Sequence, residues 1–274
     1  MSTFMAQFIT IVESPNPLPK EAVVRLAELL GSDAYTIQML LKRPRPLILG
    51  NPVADEAAGE GLHLLQEYQY EAYAFDMDEV RGLPDPRRVR TLKFFQDHLR
   101  FVINDNEVRL SQWSDVFLLV AGHCRQRVDE RSSRLPLPTQ YGSPTASHET
   151  QSTRENTSEK LDFYFFDGSE PMRMDSDRFS FLFLGSRLGL TDAKNMALTI
   201  QMVRKLAPHA ILDEAFEQFR RGAGGMGRSH QSGSASLVGE TSTSDKRVDD
   251  DGPRFDFYSR LAFFIHLRRA ERGG

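Results

Sequence analysis

The chain has 274 residues, 40% of them hydrophobic and 26% charged, which is enough to bury two modest cores, and its length argues for two domains. A net charge of −4 disfavours nucleic acid as the main partner, because neutralising phosphates demands a concentrated basic surface. One cysteine excludes an internal disulfide, no apolar run approaches the roughly twenty residues needed to cross a bilayer, and no basic flank precedes the first apolar stretch; the expectation is a protein of the reducing cytoplasm.

The first predicted element is a strand over 8–12, closed by the Ser14-Pro15-Asn16-Pro17 turn. A helix follows over 19–30, with Ala22, Val23, Leu26, Leu29 and Leu30 as its apolar stripe, Pro19 in the first turn and Gly31 at the left-handed position past its end. Asp33 is placed to cap a second helix carrying Ile37, Leu40 and Leu41, which must stop before Pro44. A short strand at 47–49, a Gly50-Asn51-Pro52 turn, a helix over 54–68 with Ala58, Leu62 and Leu65, and a strand alternating at Tyr70, Ala72 and Ala74 complete the set. The order is βααβαβ.

These residues, from Lys20 to Gly31, Tyr35 to Arg43, Pro44 to Gly50 and Ala54 to Tyr68, give a pattern over 1–80 that resembles the C-terminal domain of the bacterial ribosomal stalk protein, a fold shared by the Clp protease adaptor. The resemblance implies a recognition domain and no catalytic residues. It also implies a second helix that meets translation factors through basic side chains. Between Met1 and Val80, however, five basic residues face twelve acidic ones, a net of −7, with Lys42 and Arg43 the basic residues of that helix. Electrostatic steering toward elongation factors would need the opposite sign.

Residues 81–90 read as a proline-broken linker, in which Arg81, Arg87, Arg88 and Arg90 are solvated charge. From Thr91 the period changes to that of strands: 92–95, 99–103, a return through Val108 and Leu110 to Trp113, 116–128, 161–166, 171–174 and 179–183. An amphipathic helix capped by Thr191 runs to Ala207, with Ala193, Met196, Ala197, Ile200, Val203 and Leu206 inward. Seven antiparallel strands closed by one helix resemble the pleckstrin-homology-like barrel, on the Trp113-Ser114-Asp115-Val116 corner and the Thr191 helix. That resemblance implies inositol-lipid binding only where lysine and arginine cluster at the first hairpin, and Phe95-Gln96-Asp97-His98-Leu99 offers no such cluster. Trp113 reads as a core anchor. The predicted fold class is thus α+β: the small N-terminal domain at 1–80, then a barrel with helices at 91–220, including a helix over 210–219.

Two stretches, 131–159 as an insertion in the barrel and 221–252 as a linker, are rich in Ser, Thr, Gly, Pro and charge and read as disordered. Beyond them, 253–274 is apolar and basic. Phe257, Tyr258, Leu261, Phe264 and Ile265 fall at helical spacing, although a strand through 261–265 competes with that reading. These five residues are the candidate partner-binding set: the segment either packs back on its own domain, docks as a helix in a partner's groove, or lies on a membrane surface through its arginines.

The search for chemistry excludes more than it finds. Gly222 to Ser229 has the outline of a phosphate-binding loop without its lysine, and it lacks the strand before and the helix after that such a loop requires. His148-Glu149 lacks a second histidine, Asp249-Asp250-Asp251-Gly252 lacks the alternation of a calcium loop, and Asp175 with Asp177 lacks a third ligand. His123 and Cys124 are strand neighbours pointing to opposite faces, so they are poor joint metal ligands, and Cys124 reads as a buried thiol. No catalytic residue, cofactor or metal site is predicted. The expected function is that of a non-enzymatic adaptor or scaffold for an unidentified protein partner; the alternatives are a membrane-surface module and an enzyme without a recognisable motif.

Overall fold

The computed structural model describes residues 6–136, 148–222, 228–237 and 240–273. Two compact units emerge: one comprises Met1–His123, Glu159–Gly224 and Phe255–Gly274, the other Cys124–Ser158 and Gly225–Arg254.

In the first unit, strands β1 (Ala6–Glu13), β2 (Leu47–Ala54) and β3 (Glu71–Asp76) form an antiparallel sheet in the order β2-β1-β3. Helices α1 (Lys20–Leu29), α2 (Ala34–Leu41) and α3 (Asp55–Glu67) connect them in the βααβαβ order. Strand period explains the layering. Ile9 and Ile11 turn to the helices and pack with Val23, Leu26, Ile37, Leu49 and Leu65, while Phe8, one residue before Ile9, points to the other face. The helix ends follow the sequence signals. Gly31 takes φ +58°, and the amides of Gly31 and Ser32 donate to the carbonyls of Glu28 (3.2 Å) and Ala27 (2.9 Å), which closes α1 with a Schellman motif. Asp33 accepts from the Thr36 amide at 2.8 Å and caps α2. At Gly61 a Cβ would lie 2.9 Å from Ile9, so glycine is what lets α3 approach the sheet.

After α4 (Met77–Gly82), the linker is not free. Strand β4 (Arg87–Arg88) pairs in parallel with β10 (Met172–Asp175). Strands β5 (Thr91–Phe94), β6 (His98–Asn104) and β7 (Glu107–Gln112) make a separate antiparallel meander. A 3₁₀ turn at Trp113–Asp115 leads into the long strands β8 (Val116–Pro136) and β9 (His148–Phe165). In this unit β8, β9, β10 and β4 lie side by side, with β11 (Ile211–Asp213) added parallel to β8. Helix α5 (Asp192–Leu206) is capped by Thr191, which accepts from the Lys194 amide at 3.3 Å. It presents Met196 and Val203 to a core that contains Leu92, Phe101, Trp113, Leu119, Leu161 and Phe163.

The α+β class is therefore observed, but the expected closed barrel is not: the strands fall into distinct sheets, and among the described residues none closes on itself. The reason is local. The free edge of β10 is taken by the two-residue β4, and Phe179 to Phe183, expected as a strand, lies in a 3₁₀ segment over Phe181–Arg187 that buries Phe181 and Leu184 and turns at Gly185 with φ +55°. The expected helix over 210–219 divides into β11 and α6 (Phe216–Gly222).

The second unit is a ribbon. Strand β13 (Glu240–Asp250) pairs with β12 (Arg228–Leu237) on one side and with the far half of β8, over 126–136, on the other. Of the stretches expected to be disordered, 131–136, 148–159, 228–237 and 240–250 are thus in strands, while 137–147, 223–227 and 238–239 lie outside the described residues. Ladder pairing satisfies backbone groups without an apolar side chain, which is why composition missed it.

Helix α7 (Gly252–Gly273) sits at the heart of the first unit. Phe257 meets Phe8, and Phe264 meets Phe75, on the sheet face opposite α1–α3. Phe263 stacks on Tyr164 at 4.9 Å, while Phe255 and Tyr258 pack against Phe216 and Tyr258 also packs against Phe219 of α6. Polar contacts add direction. The buried Arg173 donates to both oxygens of Asp162 at 2.6 and 2.7 Å, and the Ser259 hydroxyl of α7 donates to the same carboxylate at 2.5 Å. Arg269 forks onto Glu71 at 2.6 and 2.7 Å.

Candidate functional site

Four of the five candidate partner-binding residues, Phe257, Tyr258, Leu261 and Ile265, are buried, and Phe264 is half-buried against Phe75. All five lie on α7; four are covered by the chain's own unit and Phe264 is partly so. The other sequence features also find ordinary places. Trp113 is buried and donates its indole N–H to the Phe95 carbonyl at 3.0 Å. Arg87 pairs with Glu107 at 2.5 Å and Arg90 with Asp105 at 3.3 Å. Cys124 is buried. Arg254 pairs with Asp251 at 2.6 Å at the start of α7. Burial and the neighbouring Asp175 carboxylate push Asp177 above the usual carboxylate range. Gly222 ends α6, and the rest of its glycine-rich run, 223–227, is outside the described residues, as are His148 and Glu149 beyond their place in β9. Among the described residues no group of three or more His, Cys, Asp or Glu is arranged to hold a metal.

What the sequence reading missed is a cleft of about 610 Å³ in the N-terminal module, between the β1–α1 loop and helices α1 and α2. Its lining includes Pro15, Pro17, Leu18, Val23, Val24, Ala34 and Leu41 as apolar walls, with Tyr35 and Tyr70 as aromatic ones. The loop that forms one wall is stiffened in two ways. Pro15, Pro17 and Pro19 each fix φ, and the Tyr70 hydroxyl donates to the Asn16 carbonyl at 2.7 Å. A largely preformed, apolar-walled cavity of this size with a few polar groups is the usual form of a binding site.

Its charge is one-sided. Lys20, Lys42 and Arg45 line the cleft and no acidic residue does, in a module that carries twelve acids to five bases. Arg45 donates to the carbonyls of Leu41 and Arg43, both at 2.8 Å, and to the Ser14 hydroxyl at 3.3 Å. It therefore caps the carbonyl end of α2 and ties that end to the loop, yet none of its acceptors is a carboxylate. Burial lowers the Arg45 pKa, as befits a cation held without a full counter-charge; burial also raises that of Tyr70, against the opposing effect of Arg45. At the rim, Val24 and Tyr35 are exposed, Tyr35 to 70%.

A second cleft of about 450 Å³ lies beside α5. There the His123 ring nitrogen Nδ1 is 2.7 Å from the Glu159 carboxylate, with Lys160, Arg204, Glu214 and Glu217 around it. A histidine oriented by a carboxylate is half of an acid–base device, but the lining contains no serine, threonine or cysteine to serve as a nucleophile.

Comparison with protein-family models, with curated proteins and with solved structures finds no match to this chain. The fold and the cleft define the class: an α+β protein with a preformed, cationic and apolar cleft on a small helical hairpin. Among the described residues no helix is long and apolar enough to cross a membrane.

Proposed function

We infer that the protein is a non-enzymatic recognition protein, an adaptor or scaffold, whose docking site is the N-terminal cleft and whose partner contributes an acidic segment. The observation that carries this reading is charge complementarity: three of the module's five basic residues line one cleft, and none of its twelve acidic residues does. The βααβαβ order of the module is consistent with its resemblance to stalk-protein and Clp-adaptor domains, which are themselves recognition folds, although fold alone assigns no function. The field that matters here is that of the cleft, so the module's net charge of −7 no longer counts against a docking role.

The test is fluorescence anisotropy of the full chain with a labelled oligoglutamate and, as control, an oligolysine. Binding of the first alone, weakened by added salt and by Lys20→Glu with Lys42→Glu, is expected. Equal binding of both probes, or indifference to the double substitution, refutes the reading.

A further inference from the structure

The cleft is more than a basic patch, because its cations stand over an apolar floor. Lys20 is the first residue of α1, while Lys42 and Arg45 follow the last residue of α2. A four-residue connection joins these helices, so the cations stand at the helix ends remote from it, while Ala34 and Tyr35 lie beside it in the first turn of α2 and Val24 lies midway along α1. Val23 and Leu41 form the base, and the proline-stiffened loop closes a side. A purely acidic chain would satisfy the cations but leave Val24 and Tyr35 in water. A purely apolar one would bury a cationic end without a counter-charge, which is costly.

We propose that the segment recognised by this cleft carries a large apolar side chain, aromatic or long aliphatic, next to a run of carboxylates: the apolar group seats between Leu18, Val23, Val24 and Tyr35, and the carboxylates pair with Lys42, Arg45 and Lys20. This deepens the docking reading above and rests on it. The recognition is two-part. The carboxylates set attraction and orientation, and the anchor sets residence, as in other grooves where one buried side chain dominates the affinity.

Three acetylated, labelled heptapeptides test this against the full chain: glutamates around a central phenylalanine, glutamates around a central alanine, and glutamines around a central phenylalanine. The first is expected to bind about tenfold or more tightly than either of the others, the scale of burying one aromatic side chain and of losing the charge pairs. Tyr35→Ala, at an exposed position whose loss leaves the core intact, is expected to weaken the phenylalanine–glutamate peptide several-fold and leave the alanine–glutamate peptide unchanged. Equal binding of the two acidic peptides overturns the anchor while the docking reading stands. Equal binding of the two phenylalanine peptides overturns the pairing with carboxylates. Failure of both acidic peptides to bind, or displacement of the first by dodecanoate at far lower concentration than by unlabelled peptide, overturns the docking reading as well, since the cleft would then serve no protein segment or would serve a small amphiphile.

Discussion

Replacing Asp162 by asparagine removes the charge at the most deeply buried ion pair that holds α7 in place. Asp162 is fully buried, accepts two hydrogen bonds from Arg173 and one from Ser259, and sits opposite an arginine side chain only 5% exposed. Burial works against the Arg173 charge, and Asp162, with Asp256, holds its pKa well above the usual arginine range. Breaking such a pair leaves an uncompensated buried cation and typically costs about 3–5 kcal/mol. Asp256 still reaches the guanidinium and is 40% exposed, so the lower end, about 3 kcal/mol, applies. For a protein of this size that corresponds to a fall in Tm of roughly 6–12 °C, measured by calorimetry or circular dichroism. The second arm is Arg173→Met in the Asp162→Asn background, which removes the orphaned charge and should recover much of the loss. An Asp162→Asn protein that melts within about 1 °C of the wild type, or a double variant that loses the sum of the two single losses, refutes the reasoning.

Further outcomes follow from the same packing. Leu261→Ala empties a fully buried site on α7 and should cost about 2–5 kcal/mol in denaturant unfolding; a loss below about 1 kcal/mol would show that α7 is peripheral. Gly122→Ala would put a methyl group 2.4 Å from the Phe255 ring and 2.9 Å from Phe216, so a destabilisation of about 1–3 kcal/mol is expected, and an unchanged midpoint would contradict that close approach. The Glu71 pKa is lowered, chiefly by its hydrogen bonds to Arg269, against the opposing effect of burial. A lowered carboxylate contributes stability that is present above its unfolded value, near 4.5, and is lost as the pH falls through the folded one. Glu71→Gln should therefore reduce the midpoint at neutral pH and flatten the acid limb of the stability curve below about pH 4.5. Parallel curves for the two proteins would remove Glu71 from the acid response.

The parts legible in the sequence were those decided within a few residues. Gly31 ended α1 because a left-handed residue is needed there, Asp33 and Thr191 capped α2 and α5 because their oxygens reach the third amide on, and the Pro15–Pro17 turn closed β1. What escaped was decided by distant partners. Phe179 to Phe183 has an apolar run short enough for a strand, but the Ser180 amide donates to the Arg90 carbonyl at 2.7 Å and its carbonyl accepts from the Thr91 hydroxyl at 3.0 Å, contacts that fix a 3₁₀ path. In α7 the helical spacing was present, with a strand through 261–265 as its rival. Its covering was not legible, because Phe8, Phe75 and Tyr164 come from strands far away in the sequence. The cleft left two traces that helical stripes pass over: Val24 and Tyr35 lie outside the stripes that bury α1 and α2, and Lys20, Lys42 and Arg45 stand at the helix ends around them.

Net charge describes the cleft poorly for a related reason. The −7 of the first eighty residues is a sum over a surface whose two sides are used differently. On the sheet side, α7 supplies a cation to the module's acids: Arg269 lies 3.5 Å from Glu13 as well as gripping Glu71. On the helical side, the cleft gathers Lys20, Lys42 and Arg45 without a carboxylate in its lining. Interactions between exposed charges are screened over about 8 Å at physiological ionic strength, so on a segment entering the cleft the cations of the lining weigh more than the module's distant acids. The lining of the cleft is therefore positive in a module whose own sum is negative, and it is on the lining that the proposal of an acidic partner rests.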